Sequence, residues 1–65
     1  MSTNSESTPQ LLYRAEEVAV ILGVGRTRVF ALIKSGELRS VLIGTSRRVT
    51  YDALVEYVRK LDAAA

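Results

Sequence analysis

The sequence predicts a small, mainly α-helical domain with one β-hairpin, in the order helix, helix, hairpin, helix. Three observations predict it. Apolar residues recur at helical spacing in three separate stretches. A short glycine-containing break divides the first stretch from the second. Between the second and third, two β-branched segments flank a short glycine turn. At 65 residues the chain has room for one domain. A domain of this size buries only about 60% of its unfolded surface, so its core is thin.

Residues 1–10 are polar, with Pro9 near their end, and read as a disordered leader to a domain spanning 11–62. Ala15, Val18, Ala19 and Leu22 form the first helical stripe, widened by Ile21. Glu16 and Glu17 sit in its first turn, where the helix dipole favours acids, and Gly23 ends it. Gly25 is the expected N-cap of the second helix, whose stripe is Val29, Leu32, Ile33 and Gly36, with Ser35-Gly36 closing it. Two helices joined by so short a break make a helix-turn-helix by spacing. Val41 and Ile43, the turn Gly44-Thr45-Ser46, and Val49 then read as a hairpin wing. Thr50 fits an N-cap for a third helix with the stripe Leu54, Tyr57, Val58 and Leu61, and residues 63–65 are expected to fray. The fold is therefore expected to be a winged helix-turn-helix.

Several classes of function are excluded by composition. The chain has no cysteine and no histidine, which removes disulfides, the usual zinc ligands and the commonest general base together. Its seven acids have no histidine, cysteine or glycine-rich phosphate loop to work with, so no enzyme activity, metal or cofactor is expected. The longest apolar run, Val18 to Leu22, is far short of the roughly 20 residues that span a bilayer. With no basic, apolar signal at residues 1–10, a cytoplasmic location without membrane contact is expected.

Net charge is only +2, but it is unevenly placed. From Arg26 to Arg48 there are six basic residues and one acid, Glu37, a local net of +5, and the remainder carries −3. One basic face on an otherwise acidic chain suits a polyanion. On a helical wheel Thr27, Phe30, Ala31 and Lys34 lie opposite the apolar stripe, with Arg26 and Arg28 at the N-terminal end. Small central residues let such a helix approach the floor of a major groove while long cations reach bases or phosphates at its rims. Phe30 either folds over the hairpin or packs against sugar and phosphate. Beside the hairpin turn, Thr45, Ser46, Arg47 and Arg48 form a tip suited to a phosphate backbone or a minor groove. Strand alternation sends the two arginines to opposite faces, and Arg48 can alternatively pair with Glu16, Glu17 or Glu37.

The ordered combination of Glu16-Glu17-Val18-Ala19, Leu22-Gly23-Val24, Arg26 to Ile33, Ser35-Gly36-Glu37-Leu38, Ile43-Gly44, Arg47-Arg48 and Leu54 with Tyr57-Val58 resembles the excisionase-type helix-turn-helix family. That family is related to the MerR-type winged-helix domains, and the resemblance covers residues 12 to 61. It implies binding of double-stranded DNA, with groove contacts on Arg26, Thr27, Arg28, Phe30 and Ala31 and wing contacts on Thr45, Ser46, Arg47 and Arg48. It also implies cooperative binding at repeated sites with weak self-association, DNA bending, and partnership with a cognate integrase that excises a phage or mobile element. A small MerR-like transcription regulator is the alternative. An adaptor role through Glu56, Arg59, Lys60 and Asp62 of the third helix could accompany either. The chain departs from the family pattern at Arg14 and Gly25, where a capping Ser or Thr is usual, and at Val20, where a charge is common.

Overall fold

The computed structural model describes residues 10–65. Its elements run β1 (Leu12–Tyr13), α1 (Ala15–Leu22), α2 (Arg26–Ser35), β2 (Val41–Ile43), β3 (Ser46–Thr50) and α3 (Tyr51–Ala64). The helix-helix-hairpin-helix order is as expected, with one addition. The two-residue strand β1 makes the wing a three-stranded antiparallel sheet in the order β1-β3-β2. Leu12 pairs with Thr50 and Tyr13 with Val49, and the Tyr51 N–H donates to the Leu11 carbonyl at 2.9 Å. Two residues show no period, so only this long-range pairing reveals the strand.

Each helix starts and stops for a local reason. Arg14 is the N-cap of α1, and its guanidinium has no acceptor for the orphan N–H groups of the first turn. Half a capping box survives: the Glu17 carboxylate accepts the Arg14 N–H at 2.8 Å. Gly23 closes α1 at φ +72, with its own N–H and that of Val24 donating to the Val20 and Ala19 carbonyls. Thr50 caps α3 through Oγ1, which accepts the Ala53 N–H at 3.0 Å. Gly44 holds φ +64 as the first residue of the two-residue turn closed by Ile43 and Ser46. Tight hairpins need a positive φ there.

The core comprises Ala15, Val18, Ala19, Val29, Leu32, Leu38, Val49, Ala53, Leu54 and Tyr57. Tyr13, Leu22 and Ile33 pack partly buried against it. Leu38 was not expected there, yet it is wholly buried in the connection between α2 and β2. Conversely, Val58 and Leu61 are 44% and 51% exposed, although the third stripe includes both. A helix of 14 residues runs about 21 Å, and only its first two turns lie over the small core. Ile21 also stays outside, because α1 buries one narrow face against α2 and β3. Gly36 is exposed as the left-handed cap of α2 at φ +87 and is not part of the buried stripe.

The expected leader lies outside the described residues except for Gln10, whose amide donates to the Leu12 carbonyl at 2.6 Å and to Glu17 at 3.2 Å. At the other end α3 continues through Ala63 and Ala64, beyond the expected stop at Asp62. Alanine has the highest intrinsic helix propensity, so nothing local ends the helix there. No helix among the described residues is long and apolar enough to cross a membrane.

Candidate nucleic-acid interface

The second helix begins at Gly25, which has no side chain to cap it, and has no acid in its first turn. Arg26 and Arg28 occupy that turn, placing two cations at the positive end of the helix dipole. This is locally unfavourable by about 0.3–1 kcal/mol per charge, and an anion docked on the free N–H groups would relieve it. The sole ion pair among the described residues joins Arg39 to Glu56, so Arg26, Arg28 and Lys34 pair with no acid among those residues.

Val29 and Leu32 bury the inner face of α2. Arg26, Thr27, Arg28, Phe30, Ala31 and Lys34 are all exposed. The small pair Thr27 and Ala31, one turn apart, forms a low strip along the outer face, with cations near both ends. A concavity between α2 and the wing is lined by Phe30, Ile33, Lys34, Ser40 and Arg47. Arg47 donates from Nη1 to Ser40 Oγ at 3.3 Å, which directs it toward the connection leaving α2. Phe30 is 44% exposed in this concavity, and the Arg26 guanidinium carbon lies 5.7 Å from its ring centroid. Ring and guanidinium are in cation–π range.

The wing residues divide. Arg47 pairs with Leu42 across the hairpin, whereas Arg48 pairs with Val41. Adjacent strand residues face opposite sides, so Arg47 shares the face of Val49 and Arg48 does not. Arg48 is half-buried, donates to the Arg47 carbonyl at 3.2 Å and makes no ion pair with Glu16, Glu17 or Glu37. Its charge is nevertheless one of the influences that lower the Glu17 carboxyl below the ordinary range, after the Arg14 N–H and the Gln10 amide. Thr45 is exposed in the turn and Ser46 is half-buried opposite Ile43. Neither lines the concavity.

Ile33 and Ser40 are the lining residues missing from the expected site. Ile33 reads as core from its spacing, and Ser40 has no local signal beyond preceding the first wing strand. The connection carrying Ser40 is anchored to α3 at two points. Arg39 Nη2 lies 2.7 Å from Glu56 Oε1, and Lys60 Nζ donates to the Glu37 carbonyl at 3.1 Å. Glu56 and Lys60, expected on an adaptor surface, are thus engaged within the domain.

A model of the family described as "Helix-turn-helix domain" matches residues 12–62. Among curated relatives, a "Probable excisionase" of Saccharopolyspora erythraea is 44% identical over 54 residues, which cover 83% of this chain and 55% of the relative. An "Excisionase" of Streptomyces ambofaciens is 40% identical over 52 residues, covering 80% of this chain and 82% of the relative. "Magnetosome protein MamR" of Paramagnetospirillum magneticum is 31% identical over 55 residues, covering 85% of this chain and 66% of the relative. The chain therefore spans little more than half of the Saccharopolyspora protein and just under two thirds of the magnetosome protein. No solved structure matches the chain.

Proposed function

Because the chain belongs to the excisionase-type helix-turn-helix family, we propose that it binds double-stranded DNA with α2 in the major groove and the wing along the flanking backbone. The observation that carries this reading is the exposed outer face of α2, small at Thr27 and Ala31, basic at Arg26, Arg28 and Lys34, and continuous with Arg47 across the concavity. Thr27 and Ala31 read the groove. Arg28, Lys34 and Arg47 hold phosphates, and Thr45, Ser46 and Arg48 contact the backbone at the wing tip. No catalytic step is assigned to the protein itself.

One copy offers a single helix and a short wing, at the low end of interface areas for single DNA-binding modules. Affinity per copy is therefore modest and strongly salt-dependent. Occupancy of repeated sites by several weakly associating copies compensates, and neighbouring copies along one duplex bend it. Bent DNA assists a cognate integrase in assembling the complex that excises a phage or mobile element. This part rests on the resemblance to the two excisionases.

The test is a recombination assay with purified protein, the cognate integrase and an attachment-site substrate. Excision rises, integration falls, and electrophoresis shows a ladder of bent complexes. A lone tight complex on one palindromic operator, with recombination unaffected, would instead make the protein a transcription regulator.

A further inference from the structure

We infer that Phe30 is a positioning residue: its ring holds the Arg26 guanidinium along the outer face of α2, aimed at a guanine edge in the major groove. The inference rests on the DNA-binding reading above and goes beyond it by assigning one base type to one side chain.

Arg26 is the first residue of α2, and Phe30 follows one turn later on the same face. The guanidinium carbon lies 5.7 Å from the ring centroid. A free arginine side chain samples many rotamers, and ordering it on binding costs affinity. The ring limits that sampling before DNA arrives. A guanidinium that lies face-on to such a ring keeps its N–H edge open. That edge is the part which pairs in bidentate fashion with guanine O6 and N7. Residues at the N-terminal end of a groove helix are the ones that reach base edges. Among the described residues Arg26 over Phe30 is the one cation–π pair, so Arg28, in the same turn, lacks such a support. Arg28 is therefore left as a phosphate contact and Arg26 as the reader. Phe30 has no such task as a core residue, being 44% exposed.

The experiment selects preferred duplexes from a randomised library with the full chain. It then measures base preference at each position for Arg26→Ala, Phe30→Leu, Phe30→Tyr and the double variant Arg26→Ala/Phe30→Leu. Arg26→Ala should erase a guanine preference at one position. Phe30→Leu should weaken binding to the preferred duplex about two- to fivefold and reduce preference at that position alone, with little change in melting temperature. Phe30→Tyr, which keeps the ring, should restore it. In the double variant, losing Phe30 should cost nothing beyond losing Arg26. Uniform weakening on every duplex by Phe30→Leu, additive with Arg26→Ala, would overturn the inference and make Phe30 a backbone contact. A guanine preference untouched by Arg26→Ala would overturn it too. Failure of the unaltered chain to select any duplex would sink the DNA-binding reading itself, a distinct outcome.

Discussion

The carboxylate of Glu17 accepts the backbone N–H of Arg14 at 2.8 Å, so α1 is capped from within its own first turn. That hydrogen bond is the main reason the Glu17 carboxyl titrates below the ordinary carboxylate range, with the Gln10 amide and the charges of Arg14 and Arg48 adding to it. A carboxyl whose value falls on folding contributes stability that is complete above its unfolded value. The contribution is lost as pH drops through the lowered folded one. Glu17→Gln should therefore lower the melting temperature at pH 7 and flatten its decline under acid, measured by thermal melts across the acidic range. Parallel acid limbs in the two proteins would remove Glu17 from the account.

Leu38 is fully buried at the junction of α2 and the wing, where it holds the connection against the core. Truncating such a leucine typically costs about 2–5 kcal/mol. A domain of this size has a total stability of about 3–10 kcal/mol, so Leu38→Ala should consume a large share of it. The urea midpoint should fall accordingly. Val20→Ser, at a residue 81% exposed, should stay within about 0.5 kcal/mol of the unaltered chain off DNA.

The two wing arginines should not behave alike. Arg47 lines the concavity facing α2, and Arg48 lies on the other face of β3. Arg47→Ala should weaken binding to all duplexes and reduce the slope of log K against log salt by about 0.9. Arg48→Ala should change it less. Equal slopes in all three proteins, by titration at several salt concentrations, would take the wing out of the interface.

Thr27 and Ala31 should govern sequence preference without supporting the fold. Both are exposed on α2 between its cations. Ala31→Gln should leave the urea midpoint nearly unchanged while altering which duplex is selected from a randomised library. An unchanged preference with uniformly lower affinity would show that this strip only fits the groove.

Much of this protein is legible in its residues alone. The three helices appear as apolar stripes, Gly23 and Thr50 mark a stop and a start, and the outer face of α2 shows its basic, small-centred pattern. Each of these depends on residues within one or two turns of each other, so local spacing suffices. The wing is legible through its turn, since Gly44 with β-branched neighbours meets a backbone requirement that operates within a few residues.

What tertiary structure decided depends on partners far apart in the chain. Strand β1 exists because Leu12 and Tyr13 find Thr50 and Val49. Leu38 is buried because the connection after α2 carries it into the core, whereas Val58 and Leu61 share an apolar stripe with Leu54 and Tyr57 yet stay exposed. Periodicity shows which side chains share a face, but whether that face is covered depends on the reach of the opposing element. The same reason separates Arg47 from Arg48, adjacent in the chain, and brings Arg47 to the concavity that Phe30 and Lys34 line.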